Sequence, residues 1–322
     1  HDYVSLDKYY WPCNAIVPPP SEALVACDNK TGLPWVHHDG YVNPDLHKYD
    51  HDGLLNMTTA VISLSLGWYY TDNDMFAERA ALFLDTWFLN KTTKMNPNLN
   101  FGHFIPGVSN GEHGAIIDSH YFPEMLDAAS VLALSSKWSS KQHEELKDWF
   151  KDFDDWLRTS DLGKEEANAT NNHGVWYDVQ LGFIAAHVGD DKTASKIAKD
   201  ALDKRVNAQI TDNGQLPMED ARTKSWSYNE FCLNAFFHLG KLAEYYDTHI
   251  WDSRIKLALE WQLPYIELKK PWTLQQVVPF LPKNGCIITS VDQCIGSYFN
   301  ILRIASVAYK DTKYEEAANK LP

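Results

Sequence analysis

The chain has 322 residues, of which 44% are hydrophobic and 13% aromatic, enough to bury a large core in one or two domains. Its formal net charge is −14, which argues against nucleic acid or an anionic membrane as a partner, because both attract basic surfaces. No apolar run approaches the roughly 18 residues that a transmembrane helix requires.

The first 52 residues are predicted to be loop-rich, because VPPPSE and scattered Gly and Pro punctuate them and no hydrophobic period is sustained. From Leu54 onward the period becomes helical, and segments 54–70 and 74–89 predict a first antiparallel pair. The segment 90–114 then predicts a long loop, and loops of that size are usually functional.

Helical segments continue to the end of the chain. Segment 119–134 pairs with 141–157, 175–188 with 193–206, and 228–246 with 251–263, before a last helix at 291–309. Hairpins that repeat every ~40 to 50 residues predict an all-α fold of stacked pairs, closed into an α/α toroid or left as an incomplete one. No linker interrupts the pattern, so we expect one domain over residues 1–322.

Cysteines and glycosylation sequons indicate a secreted protein. Four Asn-x-Thr triplets begin at Asn29, Asn56, Asn90 and Asn168, a number typical of extracellular glycoproteins. The five cysteines predict two short-range disulfides, Cys13–Cys27 and Cys286–Cys294, and a buried free thiol at Cys232. A reduced cytosolic protein is the alternative. The chain starts without a charged-then-apolar leader, so we expect that any signal peptide has been removed.

The stretch TNNHGVWYDVQ, residues 170–180, places two amides and an imidazole just before an apolar helix. If the helix begins near Asn172, then Asn172, His173 and Trp176 project from its N-terminus, where free N–H groups favour anions. The simpler alternative is that Asn171 or Asn172 only caps the helix and His173 is an ordinary surface histidine.

A second polar stretch, PMEDARTKSWSYNEF, precedes another apolar helix. It contains Arg222, Lys224 and Tyr228, and a solvated turn would explain the two cations equally well. Helical spacing puts Tyr228 on one face with Phe231, Cys232 and Ala235, so we expect Tyr228 to begin a buried stripe.

Several segments in a fixed order resemble the alginate-lyase superfamily of polysaccharide lyases, the mannuronate-lyase type and its glucuronan-cleaving relatives. They are DYVSLDKYYWP, MNPNLNFGHFIPG, GAIIDSHYFPEMLDA, NNHGVWYDVQ and ARTKSWSYN, and the similarity runs from residue 1 to roughly residue 270. The resemblance implies an α/α-toroid enzyme that cleaves a 1,4-linked polyuronate by β-elimination. It also implies an anionic polysaccharide as the partner, which a globally acidic protein can bind only in a locally cationic cleft.

Catalytic roles follow from the same resemblance. Asn172, His173 and Arg222 match residues that neutralise the substrate carboxylate, which makes the weakly acidic C5 hydrogen removable. Tyr228 matches the tyrosine that takes this proton and donates one to the leaving oxygen, and nearby cations would favour its phenolate. His173 as the base of an anti elimination, which guluronate would demand, is the alternative.

Further residues are expected to contact the sugar. Those that match substrate-binding places, or adjoin the catalytic set, are Asn100, His103, Trp176, Lys224, Tyr9, Tyr10 and Trp11. The last three match an aromatic lid segment, although simple packing of a loop explains them as well. The chain departs from the family where relatives carry Gln at His103, two arginines at His37 and His38, and His at Ser227.

We expect no cofactor, no metal and a monomer. His37, His38, His47 and His51 lie close in sequence, but no Cys or Glu completes a zinc set. A glycoside hydrolase is the first competing function and would use two carboxylates among Glu219, Asp220 and Asp118. A carbohydrate-binding protein without catalysis is the second.

Overall fold

The computed structural model describes residues 1–17, 26–277 and 298–321. The chain forms two compact units, and each draws on separate parts of the sequence. The first comprises His1–His38, Val42–Asn168 and Gln180–Ala194, and the second comprises Asp39–Tyr41, Ala169–Val179 and Ser195–Pro322. The single-domain boundary of 1–322 stays a prediction.

Within its described residues, the first unit contains four short strands and two 3₁₀ helices. β1 (Val4–Leu6) pairs in parallel with β4 (Phe101–Phe104), and β2 (Tyr10–Pro12) pairs antiparallel with β3 (Trp35–His37). The 3₁₀ helices cover Pro44–Lys48 and His113–Ser119. The sequence did not predict these strands, because three or four residues are too few to display a two-residue alternation.

Helices of the first unit lie close to the segments that were predicted to be helical. The first predicted pair packs together, whereas the helix of segment 119–134 packs mainly against the helix of segment 54–70 and not against that of segment 141–157. The helices are α1 (His51–Thr71), α2 (Asp74–Leu84) with a π turn at Asp85–Leu89, α3 (Phe122–Leu132), α4 (Ser140–Thr159) and α5 (Asp161–Ala167). Ser139 and Gln142 form a reciprocal capping box that starts α4. Three buried rings, Phe88, Phe122 and Trp149, pack at centroid distances of 4.7 to 6.2 Å and build an aromatic core.

The remaining helices begin with α6, whose first residues lie in the second unit. They are α6 (Asn172–Val188), α7 (Asp191–Ala201) with a π turn at Leu202–Val206, α8 (Asn207–Gln209), α9 (Pro217–Asp220), α10 (Ser225–Tyr245), α11 (Arg254–Ile266), α12 (Phe299–Tyr309) and α13 (Thr312–Ala318). The long α10 is buried along most of its length and provides the centre of this unit.

The predicted all-α class is confirmed, and the closure of the helical pairs into a toroid stays a prediction. The cysteine predictions have two outcomes. Cys13 and Cys27 form a disulfide, and Cys232 is a buried free thiol, as expected from their spacing and context. Cys286 and Cys294 lie outside the described residues.

Candidate active site

The N-terminus of α6 carries the first part of the site. The helix begins at Asn172, and the backbone N–H of His173 donates to Oδ1 of Asn171 at 3.2 Å. Asn171 therefore supplies the cap that a helix start requires. The capping function does not account for Asn172 and His173, which come next in the chain.

Asn172 is held by two hydrogen bonds to the carboxylate of Glu219. Its side chain is 1% exposed, its backbone N–H donates to Oε1 of Glu219 at 2.7 Å, and its Nδ2 donates to Oε2 at 2.9 Å. Within the described part of the chain, Oδ1 of Asn172 has no hydrogen-bond partner although it is buried. Buried polar atoms without a partner are uncommon in native proteins, and this oxygen can still accept a hydrogen bond from another group.

Glu219, on the short helix α9, links this amide to the other predicted residues. Burial raises the pKa of its carboxyl group, while the hydrogen bonds from Asn172 and the nearby Arg222 and His173 act in the opposite direction. Asn172 is thus hydrogen-bonded to this carboxylate, and the charges of Arg222 and His173 act on it. The sequence had suggested Glu219 only as an acid of a hydrolase.

Arg222 and Tyr228 form the second part of the site. Tyr228 lies in the first turn of α10 and is 9% exposed, so it is buried as expected, although Ser225 and Trp226 before it are buried too. Nη2 of Arg222 donates to its hydroxyl at 2.8 Å, and the guanidinium carbon lies 3.7 Å from the ring centroid. A cation in this position stabilises negative charge on the phenol oxygen.

Arg222 is in turn paired with Asp39, which the sequence analysis did not single out. Nε and Nη2 of Arg222 donate to the two carboxylate oxygens. Burial by itself would raise the pKa of Asp39, but hydrogen bonds from Arg222 and Thr223 outweigh it and lower this pKa to about 2. No local sequence signal marks a loop aspartate as the partner of an arginine so far along the chain.

A buried arginine supports the start of α6. Nε of Arg205 donates to Asp178 at 2.7 Å, and its Nη1 donates to the carbonyl of Ala169 at 2.6 Å. A Cβ at Gly174 would collide with this carbonyl and with Arg205, so only glycine permits the close approach. The turn before Asn172 is therefore fixed by packing and hydrogen bonds.

Two other predicted sugar contacts belong to the same unit. Trp176 is 2% exposed and packs against the rings of Phe231 and His238, with centroids 5.2 and 5.5 Å away. Its indole thus packs in the core beneath the helix. The spacing of aromatic residues in the sequence did not distinguish this position from one that contacts the sugar. Lys224 lies at the N-terminus of α10 and forms an isolated β-bridge with Gln276.

The predicted contacts Asn100 and His103 lie in the first unit. Oδ1 of Asn100 accepts a hydrogen bond from the Trp156 indole at 2.9 Å. His103 is buried with a left-handed φ of 51°, and its Nε2 lies 3.0 Å from Asp118. Although burial lowers the pKa of His103, the negative Asp118 outweighs burial and raises it.

The predicted lid residues also lie in the first unit. Tyr9 is buried, and the rings of Tyr9 and Tyr10 lie 6.2 and 5.2 Å from the ring of His37. Trp11 pairs with Val36 in the β2–β3 ribbon. Packing onto a strand therefore accounts for part of the aromatic content of this segment, and a role as a lid stays a prediction.

Among residues 1–17, 26–277 and 298–321, no three His, Cys, Asp or Glu side chains come together as a metal-binding group. None of the helices in these ranges combines the length and apolarity needed to cross a membrane.

Comparisons with known proteins concern the family and the fold of the chain. The sequence model of the alginate lyase family matches residues 1–272, whereas no curated protein gives a significant match. The structure is similar to that of an alginate lyase from Bacteroides ovatus, with 33% identity and a TM-score of 0.87 over 100% of this chain and 80% of the other.

Two more distant similarities concern the fold alone. Alginate lyase A1-III from Sphingomonas species A1 is 14% identical, with a TM-score of 0.55 over 87% of this chain and 78% of its own. A variant of A1-III complexed with a tetrasaccharide is 13% identical, with a TM-score of 0.55 over 91% and 76% of the two chains. Since the family match covers most of the sequence, the chain belongs to the alginate lyase family and is a polysaccharide lyase.

Proposed function

We propose that the protein is a secreted lyase that cleaves a 1,4-linked polyuronate, glucuronan or mannuronan (alginate), by β-elimination. The observation that carries this proposal is the hydrogen bond from Arg222 to the hydroxyl of Tyr228, in a unit where Asn172 and His173 lie around the same Glu219. The similar Bacteroides ovatus protein is described as an alginate lyase, which supports a uronate polymer as the substrate class.

The chemistry begins with the substrate carboxylate. A hydrogen on C5 is too weakly acidic to be removed while the neighbouring carboxylate keeps its full charge. Hydrogen bonds from the Asn172 amide, the His173 imidazole and the Arg222 guanidinium would disperse this charge as it grows towards the transition state. By analogy with oxyanion holes, each such donor contributes roughly 3 kcal/mol.

Tyr228 then performs the proton transfers. Its phenolate takes the C5 hydrogen as a proton, the C5 electron pair forms the C4–C5 double bond, and the C4–O bond breaks. The same phenol returns the proton to the departing oxygen, so no water is consumed. In β-D-mannuronate and β-D-glucuronate both groups lie on one side of the ring, which allows one residue to serve as base and acid. General acid–base catalysis of this kind contributes about 10²- to 10⁴-fold.

The test is a panel of purified mannuronan, guluronan, glucuronan and polygalacturonate. The proposal expects new near-ultraviolet absorbance from the unsaturated product on at least one β-linked polyuronate. New reducing ends without this absorbance would instead indicate the hydrolase. Sugar binding without either signal, unaffected by His173→Ala, would indicate the binding protein. The three carboxylates considered for the hydrolase, Glu219, Asp220 and Asp118, each have a neighbouring side chain as hydrogen-bond partner.

Secretion and glycosylation are part of the same proposal. The Cys13–Cys27 disulfide supports an oxidising compartment. All four sequon asparagines, Asn29, Asn56, Asn90 and Asn168, are exposed and thus accessible to a glycan. The mass of the protein secreted from its native host, before and after enzymatic removal of N-glycans, tests this part. An unchanged mass would reject glycosylation without affecting the lyase assignment.

A further inference from the structure

Asp39 makes four hydrogen bonds with one short segment of the second unit. Nε of Arg222 donates to Oδ2 at 3.2 Å, and Nη2 donates to Oδ1. The backbone N–H and the hydroxyl of Thr223 donate to Oδ2 at 3.0 and 2.7 Å. The carboxylate thus pairs with Arg222 along the Nε edge of its guanidinium. Thr223, which follows Arg222 in the chain, holds the carboxylate in place.

The backbone around Asp39 is built for this contact. Gly40 has a φ of +83°, and a Cβ there would collide with the hydroxyl of Thr223. No other residue type combines this conformation with such a close approach. Asp39–Tyr41 belongs to the second unit, although the residues on both sides of it belong to the first. The tripeptide therefore packs with the elements that carry Arg222.

Pairing with Asp39 fixes the orientation of the Arg222 guanidinium relative to Tyr228. Nη2 bears two hydrogens and donates to Oδ1 of Asp39 and to the Tyr228 hydroxyl. A free arginine side chain samples many rotamers, and planar bidentate pairing removes much of this freedom. With the Nε edge fixed on Asp39, the guanidinium also stays 3.7 Å from the Tyr228 ring centroid.

We propose that Asp39 is a positioning residue of the lyase, which holds Nη2 of Arg222 on the Tyr228 hydroxyl so that the phenolate is stabilised when it forms. The inference rests on the proposed function of Tyr228 as the base. Other charged groups near this array are Glu219, which acts on Arg222, and His173, which acts on Glu219. A substitution of Asp39 leaves both of these in place.

Asp39 could affect ionisation of the Tyr228 hydroxyl in two ways, and these have opposite signs. If Asp39 only cancelled the charge of Arg222, its removal would strengthen the field of the cation on Tyr228. The phenolate would then form at lower pH. If Asp39 positions the cation, removal releases the guanidinium and the phenolate forms at higher pH. The two roles therefore move the ascending limb of the pH–rate profile, where activity rises with pH, in opposite directions.

The experiment compares Asp39→Asn with the wild type by steady-state kinetics from pH 5 to 10. We expect kcat/KM at neutral pH to fall by about 10- to 100-fold, the range for a lost hydrogen bond to a charged group. We expect the ascending limb to move up by about half a pH unit or more. Asp212→Asn is the matched control, because Asp212 pairs with Arg254 on an exposed part of the same unit, and it should leave kcat/KM and the limb unchanged.

Two further measurements keep the test decisive. Thr223→Val removes one donor to Asp39 without changing any charge, and we expect a smaller shift in the same direction. A limb that stays in place or moves to lower pH in both variants overturns the positioning role, whatever the loss of thermal stability. If the wild type forms no unsaturated product, the proposed function fails. The positioning role is then tested by NMR titration of ring-labelled tyrosine, assigned with Tyr228→Phe, where the Tyr228 ring must titrate at higher pH in Asp39→Asn.

Discussion

Glu219 accepts two hydrogen bonds from Asn172, one from the backbone N–H and one from the side-chain amide of the asparagine. The carboxylate therefore sits at the N-terminus of α6, where the helix dipole favours negative charge. Because both oxygens are used, the amide plane of Asn172 is fixed relative to the helix. An amide in a fixed orientation loses little freedom when it binds a carboxylate, which is what electrostatic catalysis requires.

The first prediction concerns Asn172 itself. Asn172→Ala removes an amide donor to the substrate carboxylate, and we expect kcat to fall by about 10²- to 10³-fold. Steady-state assays of unsaturated product measure this loss. Asn171→Ala is the matched control next to it, because Asn171 only caps the helix. It should lower the free energy of unfolding by about 1 kcal/mol and change kcat by less than about threefold. Similar kcat losses in both variants would contradict the assignment.

The second prediction separates Glu219 from its neighbour Asp220. In Glu219→Gln, an NH₂ group replaces one acceptor oxygen and faces an N–H of Asn172. The amide is then no longer held, and we expect kcat to fall by about 10- to 100-fold, as for other hydrogen bonds to charged groups. Asp220 accepts instead from Asn229 at 2.9 Å, so Asp220→Asn should retain most of the activity. Complete loss in both variants, with an active Tyr228→Phe, would favour a hydrolase.

The third prediction is the effect of Tyr228→Phe. This variant keeps the ring that packs against Arg222 but removes the hydroxyl, so turnover should fall by about 10²- to 10⁴-fold with little change in substrate binding. Tyr298→Phe is the control. Tyr298 is also a buried tyrosine of the second unit, and its hydroxyl donates to Gln262 at 2.6 Å. It should cost about 1 kcal/mol of stability and leave kcat within about threefold of the wild type. A Tyr228→Phe variant with normal kcat would exclude this tyrosine as the base.

Local sequence patterns predicted those features of the fold and of the site that depend on local structure. The start of α6 at Asn172 and the burial of Tyr228 follow from helical spacing, and the Cys13–Cys27 bridge follows from the short interval between the two residues. Asp39 had no such signal, because it lies 183 residues from Arg222 in a loop without a period. Its partner is determined by tertiary packing, which a single sequence does not encode in any local pattern.

Aromatic and histidine residues were the hardest to interpret. Trp176 has the spacing of a residue on the exposed side of a site, yet it is packed between Phe231 and His238. Sugar contacts and protein cores use the same ring surfaces, so composition cannot distinguish them. His103 likewise lies in the predicted functional loop, but its side chain is buried beside Asp118 and is not on the surface.

The fourth prediction concerns two buried histidines of the first unit, which contribute a loss of stability in mild acid. Burial lowers the pKa of His187 and of His120 to about 4, and Nε2 of His187 has no hydrogen-bond partner among the described residues. In the unfolded chain a histidine titrates near 6.5. Between pH 6.5 and 4 these two histidines therefore bind more protons in the unfolded state than in the folded state, so they make the free energy of unfolding fall as the pH falls.

Each such histidine contributes a slope of at most about 1.4 kcal/mol per pH unit in this window. The raised pKa of His103 does not cancel it, because a raised histidine pKa changes stability only above pH 6.5. His187→Phe keeps a ring beside His143 and Phe150 and removes the titration, so its unfolding free energy should fall less steeply between pH 6.5 and 4. Urea denaturation at several pH values measures these slopes, with the exposed His249→Gln as the control that keeps the wild-type slope. Equal slopes in wild type and His187→Phe would show that His187 binds its proton equally well in both states, and that the acid sensitivity has another source.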